Sequence, residues 1–246
     1  MKNLAMFTSC AAISLLVAGQ AQALSGEEIL KKMDATEYAA KDTIAVVSME
    51  LEEEGGRIST RKMKMYQQGA EKRLIQFESP ADVKGIGFLD VDGKMYVYLP
   101  AFHKIRRIAG SVKNENFAGT DFAHDDLSSE RFSDRLTATA VRDQGDHYLL
   151  ECIEKNRDAS RYSKLVFAVR KKDFMFDSVE YFDKSGKRWK VFKRSQFKPV
   201  GKYVQSYFAE MTDLKKKHKT RMIVESIKCD SGLRERRFSK RQLKRL

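Results

Sequence analysis

The chain has 246 residues, a hydrophobic content of 42% and a formal net charge of +13 at pH 7. This length fits one domain with a sizeable core, and beyond the N-terminal region no apolar segment is long enough to cross a bilayer. The basic balance would favour nucleic acid in a cytosolic protein. In a secreted protein it favours phospholipid headgroups, other anionic surfaces or acidic protein patches.

Residues 1–23 have the pattern of a cleavable secretory signal peptide. Lys2 supplies a positive start, an apolar stretch follows over about residues 11–18, and Ala-Gln-Ala at 21–23 offers a cleavage site. The stretch is too short for a membrane anchor, and the residues before Cys10 do not form a lipid-attachment motif. We therefore expect an exported, unlipidated mature chain over residues 24–246, a single domain without nucleic acid as a partner.

A helix is predicted at the start of this domain. Ser25 and Glu28 have the spacing of a capping box, in which each side chain satisfies a backbone N–H of the helix start. Ile29, Leu30 and Met33 then recur at helical spacing, which predicts one apolar face toward a core.

After the helix, the hydrophobic period changes to two, which is typical of antiparallel strands with one buried and one solvated face. About ten strands and one amphipathic helix predict a mainly β (α+β) fold, a strongly curved antiparallel sheet with helices covering its concave face. In chain order the strand-like runs, short ones included, lie near residues 43–52, 62–66, 72–77, 89–91, 95–99, 104–108, 136–143, 147–154, 163–170, 176–182, 188–197, 203–212 and 220–229.

The concave side of such a sheet becomes a pocket where it is not fully packed. An apolar ligand would be held in such a pocket by apolar area rather than by reactive groups, because each methylene removed from water contributes about 0.8 kcal/mol. Ordinary core packing is the alternative for every apolar candidate. The candidates for the cavity wall are Met49, Leu51, Met63, Met65, Leu74, Phe77, Phe88, Tyr96 and Tyr98.

Two features border this predicted cavity. One short strand carries three basic residues, Lys104, Arg106 and Arg107. They could form a rim that binds phosphate headgroups or the acidic patch of a partner. The alternative is an ordinary solvated sheet face. Residues 110–129 have weak periodicity and many small or polar residues, which predicts a long excursion that closes over the sheet as a lid. Phe117, Asp121 and Phe122 are the candidate lid residues.

Two cysteines, Cys152 and Cys229, remain in the mature chain, each near the end of a predicted strand. An oxidising compartment permits a disulfide between them, but the sequence does not show whether their Cα atoms come close enough. Two free buried thiols are the alternative.

Catalytic signals are weak in this chain. It has no G-x-S-x-G motif, and His124-Asp125-Asp126 has suitable residue types for acid–base or metal chemistry but no second histidine at the spacing that supports a site. We expect no catalytic residues, no metal and no cofactor. A lipid hydrolase and a non-transporting envelope adaptor that binds only protein stay as alternatives.

A series of short motifs runs from residue 77 to 127: FESP at 77–80, DVKG at 82–85, FL at 88–89, YLP at 98–100, KIRRI at 104–108, FAGTDF at 117–122 and DDL at 125–127. Their order resembles that of the outer-membrane lipoprotein-sorting proteins, the LolA/LolB-like carriers of the Gram-negative periplasm. Met95 stands where these proteins often carry a tryptophan, and Ala118 where a bulkier residue is common.

This resemblance implies a half-open β-barrel capped by helices, with a hydrophobic cavity that shelters acyl chains of lipids or lipoproteins on the way to the outer membrane. It also implies a periplasmic location, transient contact with membrane surfaces, and an inner-membrane exporter of the RND or MMPL type as a partner. We further expect a monomer.

Overall fold

The computed structural model describes residues 24–53 and 55–245, so the predicted signal peptide lies outside the described residues. The helices are α1 (Gly26–Glu37), α2 (Phe132–Arg135) and α3 (Lys240–Leu243). The strands are β1 (Asp42–Glu52), β2 (Ile58–Gln68), β3 (Lys72–Ser79), β4 (Gly87–Val91), β5 (Lys94–Leu99), β6 (Lys104–Ile108), β7 (Leu136–Gln144), β8 (His147–Glu154), β9 (Tyr162–Arg170), β10 (Phe176–Asp183), β11 (Arg188–Val200), β12 (Tyr203–Asp213) and β13 (His218–Cys229).

All thirteen strands of the described chain join one antiparallel sheet, in the order β6-β5-β4-β3-β2-β1-β13-β12-β11-β10-β9-β8-β7. Neighbours in sequence are neighbours in the sheet, except that β6 and β7 lie at opposite ends of it. In the middle of the sheet β1 pairs with β13, from Thr43 opposite Cys229 to Glu52 opposite Lys219. The edges are therefore β6 and β7. The predicted mainly β fold, an open curved antiparallel sheet, is confirmed.

Helix α1 begins as the sequence predicts. Ser25 Oγ accepts a hydrogen bond from the Glu28 amide at 3.2 Å, and the Glu28 carboxylate accepts one from the Ser25 amide at 2.8 Å. Ile29, Leu30 and Met33 are buried and belong to the main core on the concave side of the sheet. No helix among the residues that the structure describes has the length and apolar character needed to span a membrane.

The convex side of β2–β5 carries a second, smaller core. Tyr66, Leu74, Leu89 and Tyr98 are buried there against Phe238 and Leu243 of the C-terminal segment. Gly87 permits this approach, since a Cβ at that position would lie 2.6 Å from Leu243 Cδ1. The sheet is thus covered on both faces at β3 and β4, where a half-solvated sheet would have only one buried face.

Candidate functional site

Two connected depressions open on the concave side of the sheet, with volumes of about 200 and 180 Å³. We call them together the central cavity. They share the lining residues Glu37, Met65, Arg73, Arg194 and Met222. The first lies against β1, β2, β12 and β13, and its apolar lining includes Ala45, Val47, Ala209, Val224 and Ile227. The second lies deeper, and its apolar lining includes Phe122, Phe132, Phe167, Phe176, Val179 and Phe192.

An ion pair spans the wall shared by the two depressions. Arg194 Nη1 of β11 lies 2.9 Å from both carboxylate oxygens of Glu37, the last residue of α1. The same guanidinium donates to the carbonyl oxygen of Phe176 and stacks 3.8 Å from the centre of its ring. The buried Arg194 guanidinium is therefore paired with the Glu37 carboxylate. This ion pair fixes the end of α1 over the cavity.

Residues 110–129, which we call the lid segment, run across the concave face between β6 and α2. Phe117, Phe122 and Leu127 of this segment are buried in the main core. Arg73 of β3 donates hydrogen bonds to the carbonyl oxygens of Leu127 at 2.9 Å and Ser128 at 3.1 Å. The segment therefore forms the roof of the central cavity and is packed closed.

The centre of the lid segment is fixed by Asp121, which is 1% exposed. Its Oδ2 accepts a hydrogen bond from Thr220 Oγ1 at 2.7 Å and lies 2.7 Å from His218 Nδ1. Its amide donates back to Thr220 Oγ1 at 3.0 Å, and Lys190 Nζ donates to its carbonyl oxygen at 2.5 Å. Three residues of β11 and β13 thus hold one residue of the lid segment.

Beside this contact lies a buried ionisable group of the same segment, Asp126. Its Oδ2 is 4.0 Å from Lys190 Nζ and accepts a hydrogen bond from the Ala123 amide at 2.8 Å. Burial raises the pKa of Asp126, and the Lys190 ammonium partly opposes that shift. Burial lowers the pKa of Lys190, with Asp126 acting in the opposite direction. Each charge is therefore tolerated only because the other is present.

An aromatic cluster fills the concave face over β3 and β4. The ring of Phe117 lies 5.6 Å from Phe77, 5.7 Å from Phe88 and 5.5 Å from His124 between centroids. His124 is 8% exposed, and its Nδ1 is buried without a hydrogen-bond partner among the described residues. Burial lowers the pKa of His124, so the neutral imidazole is favoured.

A separate cleft of about 390 Å³ opens beyond this cluster, between β5, β6 and the lid segment. We call it the edge cleft. Its apolar lining is Ile86, Val97, Leu99, Ile108 and Val112, with Phe117 and Ala118, and its polar lining is Arg106, Arg107, Glu115 and His124. None of these residues lines the central cavity.

Comparison with known proteins identifies the family. A family model with the description "-like: Uncharacterized protein" matches residues 69–245. A domain assigned to outer-membrane lipoprotein sorting, from Vibrio parahaemolyticus, is 26% identical with a TM-score of 0.80, over 90% of this chain and 100% of its own. The chain belongs to the LolA-like, lipoprotein-sorting proteins.

Two further solved structures are similar to this LolA-like chain. A DUF1329 family protein from Desulfovibrio piger is 26% identical with a TM-score of 0.81, over 89% of this chain and 97% of its own. A LolA superfamily protein from Nitrosomonas europaea shares the fold at 18% identity, with a TM-score of 0.74 over 89% of this chain and 100% of its own. No curated protein matches the sequence.

The LolA-like fold distributes the nine predicted cavity residues over three places. Met65 lines the central cavity. Five others lie in the packed core on the same concave side: Met49, Leu51, Met63, Phe77 and Phe88. Leu74, Tyr96 and Tyr98 belong instead to the convex core under the C-terminal segment, which corrects their assignment to the cavity wall. The physical reason is the two-residue period of a strand, which turns Leu74 away from Phe77 and Tyr98 away from Val97.

The predicted rim and lid residues are distributed between the edge cleft and the central cavity. Arg106 and Arg107 border the edge cleft rather than the central cavity, and Lys104 is exposed on the same strand. Phe117 separates the two spaces, Asp121 is bonded to β13, and Phe122 lines the central cavity.

Both cysteines are free thiols in the structure. Cys152 lies in β8 and Cys229 at the end of β13, with β9 to β12 between these strands in the sheet. Burial raises the pKa of Cys152 to about 12 and also raises that of Cys229.

The second half of the chain also forms a wall of the central cavity, which was not among the predicted cavity residues. Ala209, Met222 and Val224 lie at inward positions of β12 and β13, and Phe167 and Phe192 at those of β9 and β11. Their period-two alternation was the available signal. It places them on the covered face, but it does not distinguish a packed core from an open wall.

The polar groups of the site do not form a nucleophile–base arrangement. Asp121 lies between His218 and Thr220, so the Thr220 hydroxyl donates to the carboxylate and not to the imidazole. His147 pairs with Asp177 at 2.7 Å. Within the described residues, no cluster of three or more histidine, cysteine or acidic side chains could hold a metal ion.

Proposed function

We propose that this protein is a periplasmic carrier that shelters acyl chains of lipids or lipoproteins in the central cavity during transport to the outer membrane. One observation carries the proposal: an apolar hollow lies on the concave side of the sheet, roofed by the lid segment. Each methylene that enters it from water contributes about 0.8 kcal/mol. A chain of many methylenes is therefore held without any reactive group.

We also propose a cellular setting for this carrier, based on its sequence pattern and its family. Residues 1–23 act as a signal peptide for export to the periplasm, and residues 24–246 form one carrier domain that works as a monomer. Lys104, Arg106 and Arg107 are exposed on β6, and these positive charges support transient contact with anionic membrane surfaces. An inner-membrane exporter of the RND or MMPL type would be the partner that supplies or drives the cargo.

In the proposed mechanism, cargo reaches the central cavity when the lid segment moves away from β11 and β13. The bonds of Asp121 to Thr220 and Lys190 hold the closed state. Arg73 would then offer a guanidinium to an anionic headgroup, because the lid carbonyl oxygens that it now contacts would have moved. The residues act by binding and positioning, so we propose no catalytic group, metal or cofactor.

Lipid content is the direct test. Organic extracts of natively purified protein, analysed by mass spectrometry, are expected to contain an acyl lipid. The variant Met222→Glu places a charge in the wall shared by both depressions and should lose that lipid. Val204→Glu is the matched control, since Val204 lies on the adjacent strand and is 37% exposed. Equal lipid content in both variants, or none in the natural protein, would contradict the carrier.

The hydrolase and adaptor alternatives give different results in the same preparation. Incubation with radiolabelled phospholipid should return intact lipid bound to the protein. Released fatty acid would overturn the carrier in favour of an enzyme. Protein free of extractable lipid that still bound an exporter would favour a non-transporting adaptor.

A further inference from the structure

The edge cleft is larger than either part of the central cavity and is separated from it by packed side chains. Phe77 and Phe88 project from β3 and β4, which lie between the strands β5–β6 of the cleft and the strands β1, β2, β12 and β13 of the central cavity. Phe117 covers both rings. A ligand in the edge cleft would therefore not share its site with cargo in the central cavity.

The mouth of the edge cleft is cationic. In the register of β5 and β6, Val97 lies opposite Arg106 and Leu99 lies opposite Lys104. Because residues opposite one another share a face, Arg106 and Lys104 lie on the same concave face as Val97. Arg106 and Arg107 both border the cleft and are exposed, but Arg107 opposes Tyr96 in the register, so its side chain leaves the sheet on the convex face. Glu115 is the one carboxylate in the lining. Arginine suits carboxylate and phosphate oxygens because it offers parallel N–H donors.

The inner wall of the cleft carries a polar atom with no protein partner. His124 borders the cleft, and its buried Nδ1 lacks a hydrogen-bond partner among the described residues. Buried polar atoms in folded proteins are normally satisfied, and an exception commonly marks a place where a ligand or water belongs. The rest of the inner wall, including Ile86, Val97 and Ile108, is apolar.

We propose that the edge cleft is a second binding site, for an anionic lipid whose acyl chain lies along Val97 and Leu99 and whose oxyanion contacts Arg106. The volume of about 390 Å³ lies in the range of small-molecule sites. A free fatty acid and a lysophospholipid share this chemistry. The site does not depend on the central cavity, so either can bind lipid when the other does not.

Site-resolved binding tests this proposal. Palmitate labelled with carbon-13 at its carboxyl group is added to delipidated full-length mature protein, and each occupied site gives its own carboxyl resonance. Leu99→Trp fills the edge cleft and should remove one resonance. Ala209→Trp fills the central cavity and should remove a different one. If only Ala209→Trp removes a resonance, the carrier is supported and the second site is overturned. If only Leu99→Trp removes a resonance, the second site is supported and binding in the central cavity is overturned.

The cationic mouth is tested by charge reversal. Arg106→Glu should weaken palmitate at the edge cleft about tenfold, a loss of one strong ionic contact. Arg142→Glu changes the net charge equally on the opposite edge strand, β7, and should leave that affinity unchanged. If both variants weaken palmitate binding equally, the effect comes from overall charge and the proposed site is overturned.

Competition with lysophosphatidylglycerol then distinguishes the two ligand sources. If it displaces labelled palmitate at a lower concentration than unlabelled palmitate does, the preferred ligand is the lysophospholipid. If it displaces labelled palmitate less well, the preferred ligand is the fatty acid.

Discussion

Lys190 Nζ donates a hydrogen bond to the carbonyl oxygen of Asp121 at 2.5 Å, from a side chain with no exposed surface. The same ammonium group is 4.0 Å from Asp126 Oδ2. One lysine of β11 therefore bonds the backbone of the lid segment at Asp121 and opposes the buried negative charge of Asp126. Removing one member of such a pair is costly because the other charge stays buried.

We expect Lys190→Met to lower the free energy of unfolding by about 3–5 kcal/mol at pH 7. Urea denaturation followed by circular dichroism measures this. The exposed neighbour Lys193→Met is the control and should change little. In the double variant Lys190→Met/Asp126→Asn the loss should be smaller, because no charge then stays buried. A double variant as unstable as the single one would contradict the pairing.

The same variant has a predicted pH dependence. The folded-state pKa of Asp126 is raised by burial, so its protonated form stabilises the fold below its unfolded pKa of about 4, and this contribution is lost as pH rises. Loss of Lys190 raises that pKa further. The destabilisation by Lys190→Met should therefore be smallest near pH 4 and largest near pH 7, and a constant difference would count against Asp126 as the affected group.

Asp121→Ala should loosen the lid segment. The change leaves Thr220 and His218 without their shared acceptor, at a cost of about 1–3 kcal/mol in unfolding free energy. Hydrogen exchange should speed up at residues 117–124 and stay unchanged in β9, and lipid exchange should become faster. Asp158→Ala, at an exposed turn, is the control. Unchanged exchange at 117–124 would show that the core packing alone holds the segment.

His124→Phe should make stability less sensitive to acid. Burial holds the folded-state pKa of His124 below its unfolded value, so the neutral form contributes stability above the unfolded pKa and that contribution is lost as pH falls. Phenylalanine keeps an aromatic ring beside Phe88 and Phe117 but cannot be protonated. Between pH 7 and pH 5 the variant should therefore lose less stability than the natural protein. His103→Gln, at an exposed position, should behave like the natural protein.

The cysteines should differ in their reaction with iodoacetamide at pH 8, in a chain that begins at Leu24. Cys229 is half-buried, whereas Cys152 is fully buried and has its pKa raised to about 12. Because the thiolate is the reactive form, Cys229 should be labelled in the folded protein and Cys152 only after unfolding. The variants Cys152→Ser and Cys229→Ser identify each site by mass. Labelling that required a reductant would indicate a disulfide.

Much of the fold could be predicted from local signals in the sequence. The capping box at Ser25 and the period-two alternation around Met49 and Met63 depend on neighbours in sequence or on one sheet face, and both predictions agree with the structure. The pairing of β1 with β13 carries no comparable local signal. It joins strands at opposite ends of the chain, and only the whole sheet determines it.

The candidate site was less predictable because both faces of β3 to β5 are covered. In the run Leu74-Ile75-Gln76-Phe77, apolar side chains face the concave core and the convex C-terminal segment in turn. Hydrophobicity alone therefore does not say which of Leu74 and Phe77 lies on the concave side of the sheet. The resemblance to the LolA-like carriers identified the fold, but it left open which apolar side chains line an open space.

The pairing of β1 with β13 also sets an order of events during folding. Thr43 finds its partner Cys229 only after nearly the whole chain has left the machinery that synthesises or exports it. Until then β1 and β12 both present unpaired edges, and such edges are templates for aggregation. Pairing of such distant segments is also slow, because a long loop must close first. The nascent chain is therefore most dependent on chaperones in the interval before β13 inserts between β1 and β12.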